Sequence, residues 1–407
     1  MKRKILIALS AVGPGLFLIG YNIGTGSITT MAKAGANYGM TLFWALILSA
    51  IFTYILMVAY GQVTLVTGQT ALYNIRKNFK AGTALSIYIL IALITGELLA
   101  IMGVMGIVVD LIIEGIRLMG WGDADAFWIT LVLVICLYTL LWFGQYKIFE
   151  KILTFFVILM GLCFILVFFL VKPDFVAIAK GMIPNIPREK GAFQLIAAMA
   201  GTTCSAAVFI VRSTVVKEKG WTIDNLKDEK KDAFVSATTM LLLSGIIMAV
   251  SAGTLYVMDL SLETTVEMIQ LFEPLGGKIA AFILILGIVG AGLSTVFPII
   301  LIAPWLISDF SGKSRDIKSP LFRILGFFGL LFGFGLIFIE KAPPAMMIFS
   351  QAFQAMILPA VAIPIMFLIM NKNLMGANKA NLKLQMGLIA VILFSLITAY
   401  FAIADLI

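Results

Sequence analysis

Two short polar runs inside apolar sequence hold most of the side chains able to do chemistry: GTGS at Gly24–Ser27 and GTTCS at Gly201–Ser205. Glycines and hydroxyl residues weaken a helical ladder and leave backbone N–H and C=O groups unpaired. Inside a bilayer that is tolerated only where protein or a water-lined cavity satisfies those groups. The donors on offer are carbonyls, the hydroxyls of Thr25, Ser27, Thr202, Thr203 and Ser205, and the thiol of Cys204. Cys204 is either a soft metal donor or a small buried hydrophobe, and packing is the preferred reading. The two runs contain no carboxylate, and burying a divalent charge among neutral oxygens is costly. They suit a solute held by hydrogen bonds, or a weakly held cation; a bound metal is left open.

Outside the two runs, Glu97 is the acid nearest the middle of an apolar stretch, and such a group is a functional candidate by default. It reads either as a coupling group or as a structural partner of Arg212 or Arg323. Arg212 sits toward one end of its stretch and reads alternatively as a snorkelling side chain. Gln351 and Gln354, one helical turn apart, either line a pathway or tie helices together. The chain has no histidine, which removes the commonest proton shuttle and excludes a Ser/Cys–His nucleophile. An enzyme is therefore not expected. Nor does a continuous polar stripe point to a channel.

The elements that must position these residues follow from composition. The 407 residues are 61% hydrophobic and 12% charged, against about 25% charged in a soluble domain. Each bilayer crossing uses about 20 apolar residues. Stretches of that length run from Ile5 to Ala34, Met40 to Leu65, Gly82 to Ile113, Asp125 to Gly144, Ile148 to Val171 and Gly191 to Val216. Five more run from Ala233 to Met258, Gly277 to Ile307, Pro320 to Ile339, Met346 to Met370 and Leu384 to Ile403. Eleven spans are predicted. Most of the 29 Lys and Arg then fall in loops on the side of the N-terminus, which places that terminus inside and the C-terminus outside. The segment Asp224–Asp232 reads as a solvated loop of mixed charge. Cys136, Cys163 and Cys204 lack any paired spacing, so neither a disulfide framework nor a zinc site is expected. No nucleic-acid surface is evident.

Breaks in the first and sixth spans, five helices apart, point to an inverted-repeat transporter with its solute where the half-helices meet. The repeats are assigned to 1–171 and 191–370, with 384–403 as an extra helix in a single transmembrane domain.

Three separated blocks carry a family resemblance. GPGLFLIGY (Gly13–Tyr21) with AGANYG (Ala34–Gly39), KPDFVAIAKGMIPNIP (Lys172–Pro187) and SQAFQAMILPAVAIPIMFLIMNKNLMG (Ser350–Gly376) resemble the Nramp family of divalent-metal transporters. That resemblance implies an all-α, LeuT-like 5+5 inverted repeat of 11 transmembrane helices, with helices 1 and 6 interrupted, working by alternating access. The substrate motifs depart from it. Where the family has Asp-Pro-Gly-Asn, this chain has Gly24, Thr25, Gly26 and Ser27; where it has Met-Pro-His, the places fall to Ser205, Ala206 and Ala207. Glu97 matches the family's third-helix proton-pathway Asp, with Ala100 at the neighbouring acid. Arg212 matches a second sixth-helix His, and Arg323 a ninth-helix Arg of that pathway. The IGTG of Ile23–Gly26 is similar to the glycine-rich break of amino-acid/polyamine/organocation transporters, which grips a carboxylate.

The resulting expectation is a plasma (inner) membrane secondary transporter with no cofactor, coupled to H+ or Na+. Its substrate is expected to be a small zwitterionic or organic solute or a weakly held cation. The alternative is an importer of divalent cations of the Mg/Mn/Fe type. The lipid bilayer is its other partner, and oligomeric state is left open.

Overall fold

The computed structural model describes residues 24–143, 146–189, 191–311, 316–339 and 342–404. Among them every regular element is a helix: α1 (Thr25–Tyr38), α2 (Phe43–Thr67), α3 (Ala71–Asn78), α4 (Gly82–Leu118), α5 (Ala126–Phe143), α6 (Tyr146–Val171), α7 (Phe175–Gly181) and α8 (Ala192–Thr203). They continue as α9 (Ala206–Glu218), α10 (Leu226–Gly253), α11 (Gly277–Ser311), α12 (Pro320–Leu331), α13 (Gly335–Ile339), α14 (Pro343–Met370), α15 (Lys372–Met375) and α16 (Leu382–Ala404). With no water to satisfy backbone groups in a bilayer, helices are the form such apolar runs must take.

Nine described spans are long and apolar enough to cross a membrane, or ten if the end of α6 is joined to α7 across its 112° bend. Asp174 marks that corner by accepting a hydrogen bond from the Val176 N–H at the start of α7. The expected count of eleven is not reached among the described residues. The first expected span lies largely outside them: of it, only Gly24 and most of α1 are described.

The second expected break falls where its polar run is, and of the first only the side from Gly24 onward lies among the described residues. Gly24 leads into α1 with extended backbone (φ −94°, ψ −170°). At the second break, Cys204 and Ser205 leave helical geometry between α8 and α9, Ser205 with ψ 129°. Thr53 of α2 reaches this break with its hydroxyl, whose one proton is shared between the Thr203 carbonyl at 2.8 Å and the Ser49 carbonyl at 2.7 Å.

The segment Asp224–Asp232 is not the solvated loop its charges suggested. A short turn at Ile223–Asn225, where the Thr222 N–H donates to Asn225 Oδ1 at 3.1 Å, runs directly into α10. Glu229 and Asp232 of α10 are buried because they face a buried cation on α9.

Helix α14 lies at the centre, packed on α8, α4 and α16; α10 packs on α1 and α2, and α11 on α4 and α6. Gly201 lets α8 and α14 meet backbone to backbone, since a Cβ there would collide with the Gln351 carbonyl. Small residues permit such approaches where lipid supplies no hydrophobic drive between helices. Peripheral helices turn large apolar side chains outward, as with Trp128, Val132 and Ile135 of α5.

Candidate functional site

Five parts of the bundle converge on one small cavity. Its walls are Gly24, Gly26 and Ser27 at the start of α1; Glu97, Ala100 and Val104 of α4; and Thr202 and Ser205 at the second break. Thr295 and Ile299 of α11 and Gln351 and Gln354 of α14 complete them. It encloses about 30 Å³, which is room for one ion with one or two waters.

Glu97 decides the chemistry. It is 3% exposed, and its Oε1 accepts a hydrogen bond from Gln354 Nε2 at 3.0 Å. Gly96 makes that contact feasible, because a Cβ there would stand 2.9 Å from the same Nε2. With its NH2 turned to a carboxylate, Gln354 has its Oε1 on the other side, buried and with no hydrogen-bond donor among the described residues. A buried acceptor without a partner costs about 1–3 kcal/mol, and here it lies beside an acid in a cavity able to take a cation. Gln351 directs its Nε2 to Met347 Sδ at 3.5 Å. Ser27 Oγ lies 3.1 Å from Ser244 Oγ. Thr295 donates to the Ala291 carbonyl at 2.7 Å, leaving its oxygen lone pairs as acceptors.

Of the residues expected to hold solute, Gly24, Gly26, Ser27, Thr202 and Ser205 line the cavity. Thr25, Gly201, Thr203 and Cys204 are buried behind it. The expectation of a neutral, oxygen-lined pocket is corrected, because Glu97 lines the same cavity as residues of both polar runs. The two glutamines join it there. Sequence reasoning missed Thr295. Its signal is indirect: Gly24 has no room for a side chain, since a Cβ would collide with Thr295 Oγ1. Among the described residues no group of three or more Asp, Glu, Cys or His residues is placed to hold a metal. A cation here would be held by one carboxylate supplemented by neutral oxygens.

The family model described as Natural resistance-associated macrophage protein-like (Nramp) matches residues 15–405. The chain belongs to the Nramp family. The divalent metal cation transporter MntH of Erwinia tasmaniensis is 23% identical over 418 residues, covering 99% of this chain and 95% of the relative. That of Yersinia enterocolitica is 24% identical over 294 residues, or 71% of this chain and 70% of the relative. In fold, the chain is similar to the Eremococcus coleocola manganese transporter, with a TM-score of 0.72 at 16% identity over 96% of this chain and 85% of that one. It is also similar to MHP1, a nucleobase-cation-symport-1 family transporter, with a TM-score of 0.62 at 13% identity over 97% and 92%. This Nramp protein is thus an all-helical, multi-pass membrane transporter with a LeuT-like fold.

The two arginines that resemble pathway residues of Nramp proteins have other partners. Arg212 is fully buried. Its Nε donates to Glu229 Oε1 at 2.8 Å and its Nη2 to Asp232 Oδ2 at 2.9 Å. It does not snorkel, because two carboxylates from α10 hold it inside. Glu229 fits only because residue 61 is glycine: a Cβ there would collide with its carboxylate. Arg323 lays its guanidinium 4.0 Å over the Trp142 ring and donates to the Trp142 carbonyl at 3.3 Å, tying α12 to α5. Neither arginine lines the cavity.

Proposed function

We propose that this Nramp protein carries a divalent metal cation across the membrane by alternating access, binding it in the cavity between the start of α1, the α8–α9 break, α4, α11 and α14. The observation that supports this is the Glu97 carboxylate inside the cavity, with the unpartnered Gln354 Oε1 beside it. The relatives described as divalent metal cation transporters favour the same reading.

The cavity favours a divalent cation over the zwitterionic solute expected from sequence. Glu97 brings a buried negative charge into the cavity wall, which favours a cation, and the relatives of this family are described as divalent metal cation transporters. The ion meets Glu97 as its charged ligand. The C-terminal end of α8 adds the partial negative charge of its last carbonyls. Amide and hydroxyl oxygens replace lost water. The half-helices are short enough to tilt separately, opening one side of the cavity and closing the other. The N-inside orientation and the H+ or Na+ coupling expected from sequence belong to this proposal.

The test is uptake of Mn2+ into proteoliposomes by the wild type and by Glu97→Gln, with stability followed by thermal shift. Saturable uptake that falls at least roughly tenfold in the variant, at unchanged stability, is expected. Stabilisation by amino acids with no response to any divalent cation refutes the proposal.

A further inference from the structure

We infer that the cavity is built for a hard divalent cation of the magnesium class, taken up with part of its water, and that it discriminates against soft ions such as Cd2+. This rests on the divalent-cation reading and names the class within it.

Among the described residues the side-chain donors lining the cavity are oxygen. Glu97 offers its carboxylate, Gln351 and Gln354 their amides, and Ser27, Thr202 and Ser205 their hydroxyls. The chain has no imidazole. Sulfur is near but held elsewhere: Met347 Sδ accepts from Gln351 Nε2 at 3.5 Å, and Cys204 is fully buried. Neither sulfur lines the cavity. Soft cations draw their preference from thiolate and thioether ligands, hard ones from carboxylate, carbonyl and water.

The Gln354 oxygen is an independent indication of a cation. The residue is 3% exposed, its nitrogen is committed to Glu97, and its oxygen has no donor among the described residues. An anion there would meet two acceptors of its own kind, whereas a cation satisfies both.

Charge completes the argument. One carboxylate neutralises half of a divalent ion, so the remainder must be spread over neutral oxygens and retained water. Mg2+ dehydrates reluctantly, keeps several waters and is usually held by one or two carboxylates. A cavity with room for an ion and one or two waters matches a partly hydrated ion of small radius.

The experiment compares Mg2+, Mn2+ and Cd2+ uptake into liposomes by the purified full chain, alongside Ser205→Cys and Glu97→Gln. Mg2+ and Mn2+ are expected to enter saturably and Cd2+ roughly tenfold more slowly. Ser205→Cys puts a thiol in the cavity at nearly constant volume and is expected to raise Cd2+ uptake relative to Mg2+ by roughly the same factor. Cd2+ uptake by the wild type equal to or above that of Mg2+ overturns the hard-ion inference while leaving divalent-cation transport intact. An unaltered Cd2+ to Mg2+ ratio in folded Ser205→Cys, checked by thermal shift and gel filtration, overturns it too. Absence of flux for all three ions, in liposomes that retain folded protein, overturns the transport reading itself.

Discussion

Removing the Arg212 guanidinium, as in Arg212→Met, takes from Glu229 and Asp232 the buried cation that both of them contact. All three side chains are at most 1% exposed, and the two ion pairs are 2.8 and 2.9 Å long. Breaking a buried pair by deleting one partner costs about 3–5 kcal/mol. The triad is not fully satisfied even in the native protein, since Arg212 Nη1 and Glu229 Oε2 are buried without hydrogen-bond partners among the described residues. The loss should therefore sit toward the lower end, about 3 kcal/mol. The assay is equilibrium unfolding in mixed micelles, with Arg212→Met compared against a variant carrying Glu229→Met and Asp232→Leu as well. Replacing a whole buried ionic group by apolar residues is often neutral or stabilising by about 1–4 kcal/mol, so the triple variant should recover most of the loss. A single variant less than about 1 kcal/mol below wild type refutes the reasoning, since the carboxylates would then be solvated. A triple variant as unstable as the single one also refutes it, because packing rather than charge would be the cause.

Other perturbations reach the cavity and its frame. Gly24→Ala pushes a methyl group into Thr295 and should destabilise by about 1–3 kcal/mol, with Thr295→Ala added in the same chain restoring most of it by thermal shift. Thr53→Val removes the hydrogen bond to the Thr203 carbonyl at the α8–α9 break, an expected loss of about 1 kcal/mol in the same unfolding assay. Cys204→Ala should leave divalent-cation uptake within about twofold of wild type, because the thiol lies behind the cavity wall; a loss comparable to that of Glu97→Gln would make Cys204 a ligand.

The fold was largely legible before any coordinates. Apolar runs of sufficient length become helices because a bilayer leaves backbone groups no other partner, and GTTCS marks the α8–α9 break for the same reason. The stretch expected to end at Val171 does so as α6, and the sharp bend to α7 falls in the loop that follows it. Charge patterning misled at Asp224–Asp232. A run of mixed charges normally faces water, but two of its acids point inward to meet Arg212.

What the sequence determined by itself was the set of described helices, the placement of the α8–α9 break and the hydroxyl-rich lining near it. The tertiary structure alone decided which polar groups share the cavity. Glu97 and Gln354 are 257 residues apart, and nothing local in α4 or α14 announces that they meet. Periodicity reveals which side chains share one helix face. In lipid, however, outward and inward faces are both apolar, so the pattern does not say which face meets which neighbour. That pairing is fixed by close backbone contacts such as Gly201 on Gln351, and it brings a single carboxylate into an otherwise neutral cavity.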